Sequence, residues 1–519
     1  MFYNNNIEKK KIYRVFLSFF LLFSLLILRL YYLADMEGDK LSVMADSQYS
    51  YTEKKQELNF EETDCDGKEL LDYYYKYYLV INPQLFNSNF DSNNIELKAL
   101  NYILKGNIDP INIYDEKILS KSLLTKFSIT EDTYNKLSDI KKVKGFYCYK
   151  EKCPDRSYAW KIENIISDFY DTTENKAKDK SSLEGKINSM FQNNYSTVSF
   201  QRDEEGYISL KSEDKNSVNT LKLTLDKNMQ DNIRNILKNT KYEQVGCALM
   251  ETSSGDIIAL AQKNEKIPNI LIGASGELLV PGSSFKLIVA EAALENNLIN
   301  TSDKFTCKGF MEDKHKYHGT LDLKKALSVS CNSIFVQIGI KTGMNNIMTM
   351  AEKQGLLKKT LGLYYEEQGS FDNNEDISNT SIGQNIHVSP LELLAAVNVI
   401  ANDGYYIEPN IICNMEKKSN KVLSLNTVQI LKEDLRSVVT NGTGIRANNS
   451  KTKVYGKTGT SEYWIDKQEK SDGIFLGFFN KEGKSYSMIV VVKDIDRENE
   501  DAGNTAVPIF NTIINNFTK

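Results

Sequence analysis

Polar and apolar positions divide the chain into three regimes. Lys9, Lys10, Lys11 and Arg14 precede an almost unbroken apolar run from Val15 to Leu28, which Arg29 interrupts and Leu30-Tyr31-Tyr32-Leu33 extends. Through Leu33 the run approaches the roughly 20 residues a helix needs to cross a bilayer, so residues 15–33 are predicted to span a membrane. From Met36 to about Thr220 the sequence is polar and rich in Asn and Lys. There Leu71–Pro83 mixes aromatic and β-branched residues and reads as one or two strands, its tyrosines expected in a core. Leu97–Lys105 and Asp115–Leu137 read as helices joined by polar loops. The third regime is patterned more sharply. Leu221–Asp226 alternates like a strand and ends on a helix-starting aspartate, and Lys227–Leu237 follows with helical spacing. Gln244–Met250 and Ile257–Ala261 form a predicted hairpin around Ser253-Ser254-Gly255-Asp256. A helical block runs to about Glu352, helices follow at Leu393–Asn402 and Val428–Thr440, then strands at Thr452–Thr460, Ile474–Asn480 and Ser485–Lys493. A last helix covers Pro508–Phe517. Two strands before a helical block and three after it predict one antiparallel sheet assembled from both ends, an α+β fold.

Charge changes the picture at the N-terminus. The cluster Lys9–Arg14 before the apolar run predicts a cytoplasmic tail at 1–14, with everything after the anchor on the outer side of the cytoplasmic membrane. No small-residue cleavage site closes the run, so an uncleaved anchor is expected rather than a signal peptide. At 519 residues two or three domains are expected. The net charge of -5 supplies no basic field for nucleic acid. Three histidines leave little material for a His-based triad. Seven cysteines (65, 148, 153, 247, 307, 331 and 413) are an odd, scattered set rather than a disulfide scaffold.

Candidate chemistry centres on Val280-Pro281-Gly282-Ser283-Ser284-Phe285-Lys286. A Pro-Gly turn delivers Ser283 to the start of an apolar helix, and Lys286, three residues on, returns to nearly the same face. A poorly solvated lysine loses basicity and can take the hydroxyl proton, which makes a serine nucleophile without histidine. Ser-x-x-Lys is weak alone: Ser138-Asp139-Ile140-Lys141 matches it on a charged, solvated stretch. Two further elements complete the pattern. In Ser330-Cys331-Asn332 alternate residues of a turn project one way, so Ser330 and Asn332 can face one cleft. On the strand Lys457-Thr458-Gly459-Thr460, Gly459 allows close backbone approach, while Lys457 and Thr458 offer charge and hydroxyl to a carboxylate. A second Lys-Thr-Gly, Lys341-Thr342-Gly343, sits where a helix would end and is read as a cap.

These three motifs in this order resemble those of penicillin-binding proteins and serine β-lactamases. Pro281-Gly282, His318-Gly319-Thr320, Ile382-Gly383-Gln384, Ser389-Pro390-Leu391, Ala401–Gly404, Asn441–Gly444 and Ala506–Phe510 are similar to the class B penicillin-binding proteins. Upstream, Ser182-Leu183-Glu184-Gly185 and Leu223–Asp226 resemble the junction of that class. Asn59-Phe60 and Asp64-Cys65-Asp66-Gly67 depart from its usual Arg-Gly and Asp-Arg-x-Gly signature. No glycosyltransferase-like stretch precedes the match, which points to the monofunctional class.

The resemblance implies an extracytoplasmic pedestal, dimerisation-like, over 34–220 and a transpeptidase domain over 221–519. It implies acyl transfer on D-Ala-D-Ala stem peptides through Ser283, with Lys286 as base, Ser330 relaying the proton, and Asn332 holding the donor. Lys457 and Thr458 would take the terminal carboxylate, Gly459 would allow close approach of the bound backbone, and the backbone N–H groups of Ser283 and Thr460 would form the oxyanion hole. β-Lactams would acylate Ser283, a membrane glycosyltransferase is the expected partner, and no cofactor is expected. A D,D-carboxypeptidase or β-lactamase-like hydrolase, and a penicillin sensor or idle scaffold, are the rival readings. Cys307, His315, His318 and Cys331 form a mixed Cys/His group, but their spacing fits no standard zinc motif, so no metal is assigned and buried thiols are expected.

Overall fold

The computed structural model describes residues 5–91, 94–158, 160–192, 196–213, 219–274, 278–311, 317–372, 376–465 and 468–517. A continuous α-helix, Asn5–Tyr31, is prolonged by a π-helical turn, Tyr32–Met36, and encloses the predicted span. Among the described residues Lys9–Met36 alone is long and apolar enough to cross a membrane. Its apolar side chains, Phe16, Phe20 and Leu28 among them, are exposed on all sides, as a lipid-facing helix requires.

The chain forms two compact units. One gathers Met1–Asn59, Tyr73–Cys153 and Tyr195–Val218. It holds a three-stranded sheet in which Tyr73–Ile81 lies between Thr125–Ile129 and Phe146–Pro154, and a second sheet of Ser50–Lys54, Thr197–Arg202 and Ile208–Glu213. Tyr73–Ile81 is the predicted strand, but only its end, Leu79–Ile81, is core. Tyr74 and Tyr75 are exposed, with Lys76 and Lys150 ammoniums against their rings, so an aromatic pattern that reads as core is instead a solvated cation–π face. The helix Ile95–Lys105 falls where expected, capped by Asn94. Asp115–Leu137 is not wholly helical: Glu116–Leu119 and Glu131–Leu137 flank the strand Thr125–Ile129, which pairs with Tyr77–Ile81 and buries Thr125 and Ile129. The Ser138 decoy caps the end of Glu131–Leu137, its hydroxyl donating to Asn135 O.

The other unit gathers Phe60–Asp72, Pro154–Asn194 and Asn219–Lys519. The first two segments lie within the linear range 34–220, yet they pack with the C-terminal part. Glu61–Thr63 pairs in parallel with Thr220–Lys222, so only Leu221 and Lys222 of the predicted strand Leu221–Asp226 join this ladder. Glu163 ion-pairs with Arg234 at 2.8 Å, and Glu184, wholly buried, accepts from Tyr364 N at 3.0 Å.

The elements that position the site are, in order, α1 (Lys227–Lys238), β1 (Val245–Glu251), β2 (Ile257–Gln262), α2 (Lys286–Glu295), α3 (Leu323–Ser328), α4 (Asn332–Thr342), α5 (Pro390–Ala401), α6 (Leu425–Asn441), β3 (Val454–Ile465), β4 (Gln468–Lys481), β5 (Lys484–Val492) and α7 (Ala506–Asn515). Asp226 caps α1, accepting from Met229 N at 3.0 Å. The strands form one antiparallel sheet in the order β2-β1-β5-β4-β3, the two-plus-three assembly that the pattern predicts. Successive residues of β1 serve opposite faces. Cys247 and Leu249 pack with Met229 and Ile233 of α1 and Phe510 of α7, while Ala248 and Met250 pack with Leu287 and Ile288 of α2 and Leu394 of α5. Helix α2 is buried from Lys286 to Leu294, which is why its polar residues matter. Short hairpin strands, Phe305–Thr306 and Thr320–Leu321, interrupt the block read as helical.

Candidate active site

Ser283 lies in the 3-10 turn Gly282–Ser284 that leads into α2, and is half-buried between buried neighbours. Gly282 takes φ +53°, a left-handed conformation, and its N–H donates to Gly383 O at 3.0 Å. A Cβ at Gly282 would lie 2.4 Å from Thr460 O, and one at Gly459 2.7 Å from Pro281 O. The strand carrying Lys457, Thr458, Gly459 and Thr460 therefore lies directly against the turn carrying Ser283, and two glycines make that approach possible.

Lys286 is the first residue of α2 and is wholly buried, as is Lys457. Lys286 Nζ donates to Ser330 O at 2.6 Å, to Asn332 Oδ1 at 2.5 Å and to Ser330 Oγ at 3.3 Å. Lys457 Nζ reaches the same Ser330 Oγ at 2.9 Å and donates to Thr458 O at 2.8 Å. One hydroxyl thus stands between two amines from distant parts of the chain. Burial, and then the positive charge of Lys286, push the Lys457 ammonium well below the usual lysine range.

The geometry of Ser330 follows from the way α3 ends. Cys331 N donates to Ala326 O at 3.0 Å and Ser330 N to Leu327 O at 3.2 Å, a Schellman cap with Ser330 at φ +57°. Glycine is the usual residue at that point. A serine there accepts backbone strain, which turns its hydroxyl and carbonyl toward Lys286. Cys331 is the N-cap of α4, so Asn332 starts the next helix with its amide on the same side as Ser330. Asn332 Nδ2 donates to Met311 O at 2.6 Å.

The structure brings Lys286, Ser330, Asn332 and Lys457 into one hydrogen-bonded group beside the Ser283 turn. Thr458 pairs with Thr443 Oγ1 at 2.6 Å, and Thr460 Oγ1 accepts from Ala502 N at 3.2 Å. Thr443 has no place in the predicted site. Its signal was the segment Asn441–Gly444, whose Thr443 N donates to Ser328 O at 3.1 Å and so ties the end of α6 to the end of α3. The decoy Lys341-Thr342-Gly343 ends α4, with Gly343 at φ +80° and its N–H on Gly339 O, the helix cap the sequence predicts. No disulfide joins any of the seven cysteines. Cys307, His318 and Cys331 come together, their ligand atoms within 4.8 Å of one another, while His315 lies outside the described residues.

Five antiparallel strands flanked by helices, with a Ser-x-x-Lys turn lodged against the edge strand, define the penicillin-recognising serine class of fold. The chain belongs to the penicillin binding protein transpeptidase domain family, whose profile matches residues 245–515. It is similar to Stage V sporulation protein D of Bacillus subtilis, 28% identical over 342 residues that cover 57% of this chain and 52% of that protein. It is also similar to penicillin-binding protein PbpB of Mycolicibacterium smegmatis, 23% identical over 397 residues, 64% of this chain and 60% of that one. The chain thus spans a little over half the length of these relatives. A peptidoglycan synthetase from Bifidobacterium adolescentis has the same fold, with a TM-score of 0.64 at 18% identity over 89% of this chain and 95% of that one.

Proposed function

We propose that this protein is a membrane-anchored, monofunctional class B peptidoglycan D,D-transpeptidase that cross-links stem peptides through a Ser283 acyl-enzyme. The observation that carries this reading is the Ser330 hydroxyl held between Lys286 Nζ and Lys457 Nζ, beside the turn that bears Ser283. Two buried ammoniums that share one acceptor repel each other, so the group is more stable with one of the two protons gone. A neutral amine there is a base. A donor carboxylate beside Lys457 restores the charge on that amine, so the proton the pair lacks is then missing from Lys286, and Ser283 Oγ attacks the carbonyl carbon of the penultimate D-Ala as its own proton passes to Lys286. The negative oxygen that forms is met by the backbone N–H groups of Ser283 and Thr460, each such donor supplying about 3 kcal/mol. Collapse breaks the peptide bond, and the departing D-Ala amine takes a proton by way of Ser330. An acceptor amine then attacks the ester and frees Ser283. Asn332 holds the donor peptide, and Lys457, Thr458 and Gly459 line the place of its carboxylate.

The cations Lys9, Lys10, Lys11 and Arg14 favour a cytoplasmic tail over 1–14, an anchor over 15–33 and an extracytoplasmic remainder, read as a pedestal to 220 and a transpeptidase domain from 221. A membrane glycosyltransferase would supply the glycan strands on which such an enzyme acts. The likeness to peptidoglycan D,D-transpeptidase FtsI of Buchnera aphidicola, 24% identical over 367 residues, supports the same reading.

The test uses the full chain in detergent. Fluorescent penicillin is expected to label it, and Ser283→Ala to abolish labelling. A stem-peptide thioester offered with an acceptor amine is expected to yield the cross-linked product. Labelling with hydrolysis alone would make it a carboxypeptidase, and labelling that survives Ser283→Ala would overturn the site.

A further inference from the structure

We propose that Thr443 is a further substrate-binding residue, its hydroxyl taking one oxygen of the donor's terminal carboxylate while Thr458 takes the other. The inference rests on the reading of Lys457 and Thr458 as the place of that carboxylate, and adds to it a residue from another part of the chain. Thr443 lies just past the end of α6, and its Oγ1 is 2.6 Å from Thr458 Oγ1 on β3. Among the described residues Thr458 is the one hydrogen-bond partner of that hydroxyl.

Burial divides the parts. Lys457 is wholly buried and Thr458 is 5% exposed, whereas Thr443 is exposed. The charge and one hydroxyl thus stand at the back, and an anion arriving from solvent meets Thr443 first. A hydroxyl that only braced Thr458 would be buried with it. In the free protein one hydroxyl of the pair spends its proton on the other. An ionised carboxylate accepts hydrogen bonds and donates none, and bonds to it are roughly twice as strong as those between neutral groups. Placed across the pair, its two oxygens are spaced much as the two hydroxyls are, and it accepts from both. Each hydroxyl keeps its proton, no covalent bond is made or broken, and Lys457 behind them supplies the opposite charge.

The backbone holds Thr443 for this part. Gly442 N and Gly444 N on either side of it both donate to Val438 O at 3.1 Å, and Thr443 N donates to Ser328 O, two residues before Ser330. A Cβ at Gly442 would lie 2.3 Å from Ser328 O, and one at Gly503 2.8 Å from Thr443 O. Thr443 is therefore clamped between the end of α3 and the segment of Gly503, whose neighbour Ala502 bonds Thr460 Oγ1. Its hydroxyl keeps station relative to both the Ser330 turn and the strand beside Ser283.

The test compares two ligands on the full chain in detergent: benzylpenicillin, which carries a carboxylate beside its reactive amide, and its methyl ester, which does not. Thr443→Val, close to threonine in shape, is expected to slow acylation of Ser283 by benzylpenicillin about 10- to 100-fold and acylation by the ester less than about threefold. The loss should lie in the concentration that gives half the limiting rate rather than in that rate, as for a group that binds the ground state. Thr443→Ser, which keeps the hydroxyl, should restore the preference for the acid. Both ligands are compared on one preparation, so a variant that folds only in part still gives the ratio. An equal loss with acid and ester, or a Thr443→Val protein that takes up benzylpenicillin as fast as wild type, would overturn this proposal alone. Wild type that benzylpenicillin does not acylate at Ser283 would overturn the proposed function with it.

Discussion

Replacing Gly459 with alanine measures how tightly strand β3 lies against the Ser283 turn. The added Cβ would lie 2.7 Å from Pro281 O, 3.0 Å from Ser284 Cβ and 3.1 Å from Ser284 N, whereas ordinary contact begins at 3.4 Å. Strand or turn must therefore yield by about 0.7 Å, the difference between 3.4 and 2.7. Neither has slack. The turn is tied by Gly282 N to Gly383 O, Phe285 N to Gly282 O at 3.0 Å closes it, and Gly282 already abuts Thr460 O. The strand is held in register with β4 along its whole length, Gly459 opposite Ile474. The obstacles are backbone or the root of a side chain, so no flexible tip can swing away.

A misplacement near 1 Å costs up to about a hundredfold in a reaction that depends on alignment. Gly459→Ala is thus expected to slow acylation by fluorescent penicillin about 10- to 100-fold, with an overpacking cost of about 1–3 kcal/mol in the thermal melt. Gly106→Ala, at φ -83° with its nearest neighbour at 3.4 Å, is the control and should change neither. A Gly459→Ala protein that acylates within about threefold of wild type and melts at the same temperature would mean that strand and turn are not in this contact, and the geometric reasoning fails.

Ser330 and Glu291 offer two further tests. Ser330→Gly and Ser330→Ala both remove the shared hydroxyl and should slow acylation alike, about 100-fold or more. Glycine also relieves the left-handed backbone, so Ser330→Gly should be the more stable by about 1 kcal/mol; equal melting points would refute the strain. Glu291, wholly buried on α2 and bonded to Gln354, has its carboxyl pushed up to about 8 by burial. The folded state then holds a proton that the unfolded state loses near pH 4.5, so stability is full below that pH and is lost as pH rises through about 8. Glu291→Gln cannot ionise, so it should match wild type near pH 5 and melt several degrees higher near pH 9; parallel melting curves across that range would refute the assignment.

What the sequence made legible was whatever chain order alone encodes. Ser283-x-x-Lys286, Ser330-x-Asn332 and Lys457-Thr458-Gly459 carried the site, and the split of two strands and three carried the sheet. What it concealed depended on contacts between distant segments. Thr125–Ile129 is a strand because Tyr77–Ile81 offers it an edge, although its neighbours are helical. Tyr74 and Tyr75 look like core until the lysines that cover them are placed. Glu61–Thr63 joins the C-terminal unit because Thr220–Lys222 pairs with it there. Spacings of 11 and 13 residues among Cys307, His318 and Cys331 match no local zinc pattern, since the hairpin closes the gap instead.

The turn Ser330-Cys331-Asn332 meets three requirements at once, and their combination explains its form. Three acceptors of Lys286 Nζ, namely Ser330 O, Ser330 Oγ and Asn332 Oδ1, come from this turn. The turn therefore helps to place the amine. A side chain with four rotatable bonds would otherwise sample many positions, and a base that wanders loses the advantage of alignment. The Schellman cap fixes the backbone, Met311 O fixes the Asn332 amide, and the Cys331 side chain meets Cys307 and His318 of the hairpin. An alternating turn thus puts reactive groups on one side and an anchor on the other, so strain at Ser330 is held by contacts that do not compete with substrate for the cleft.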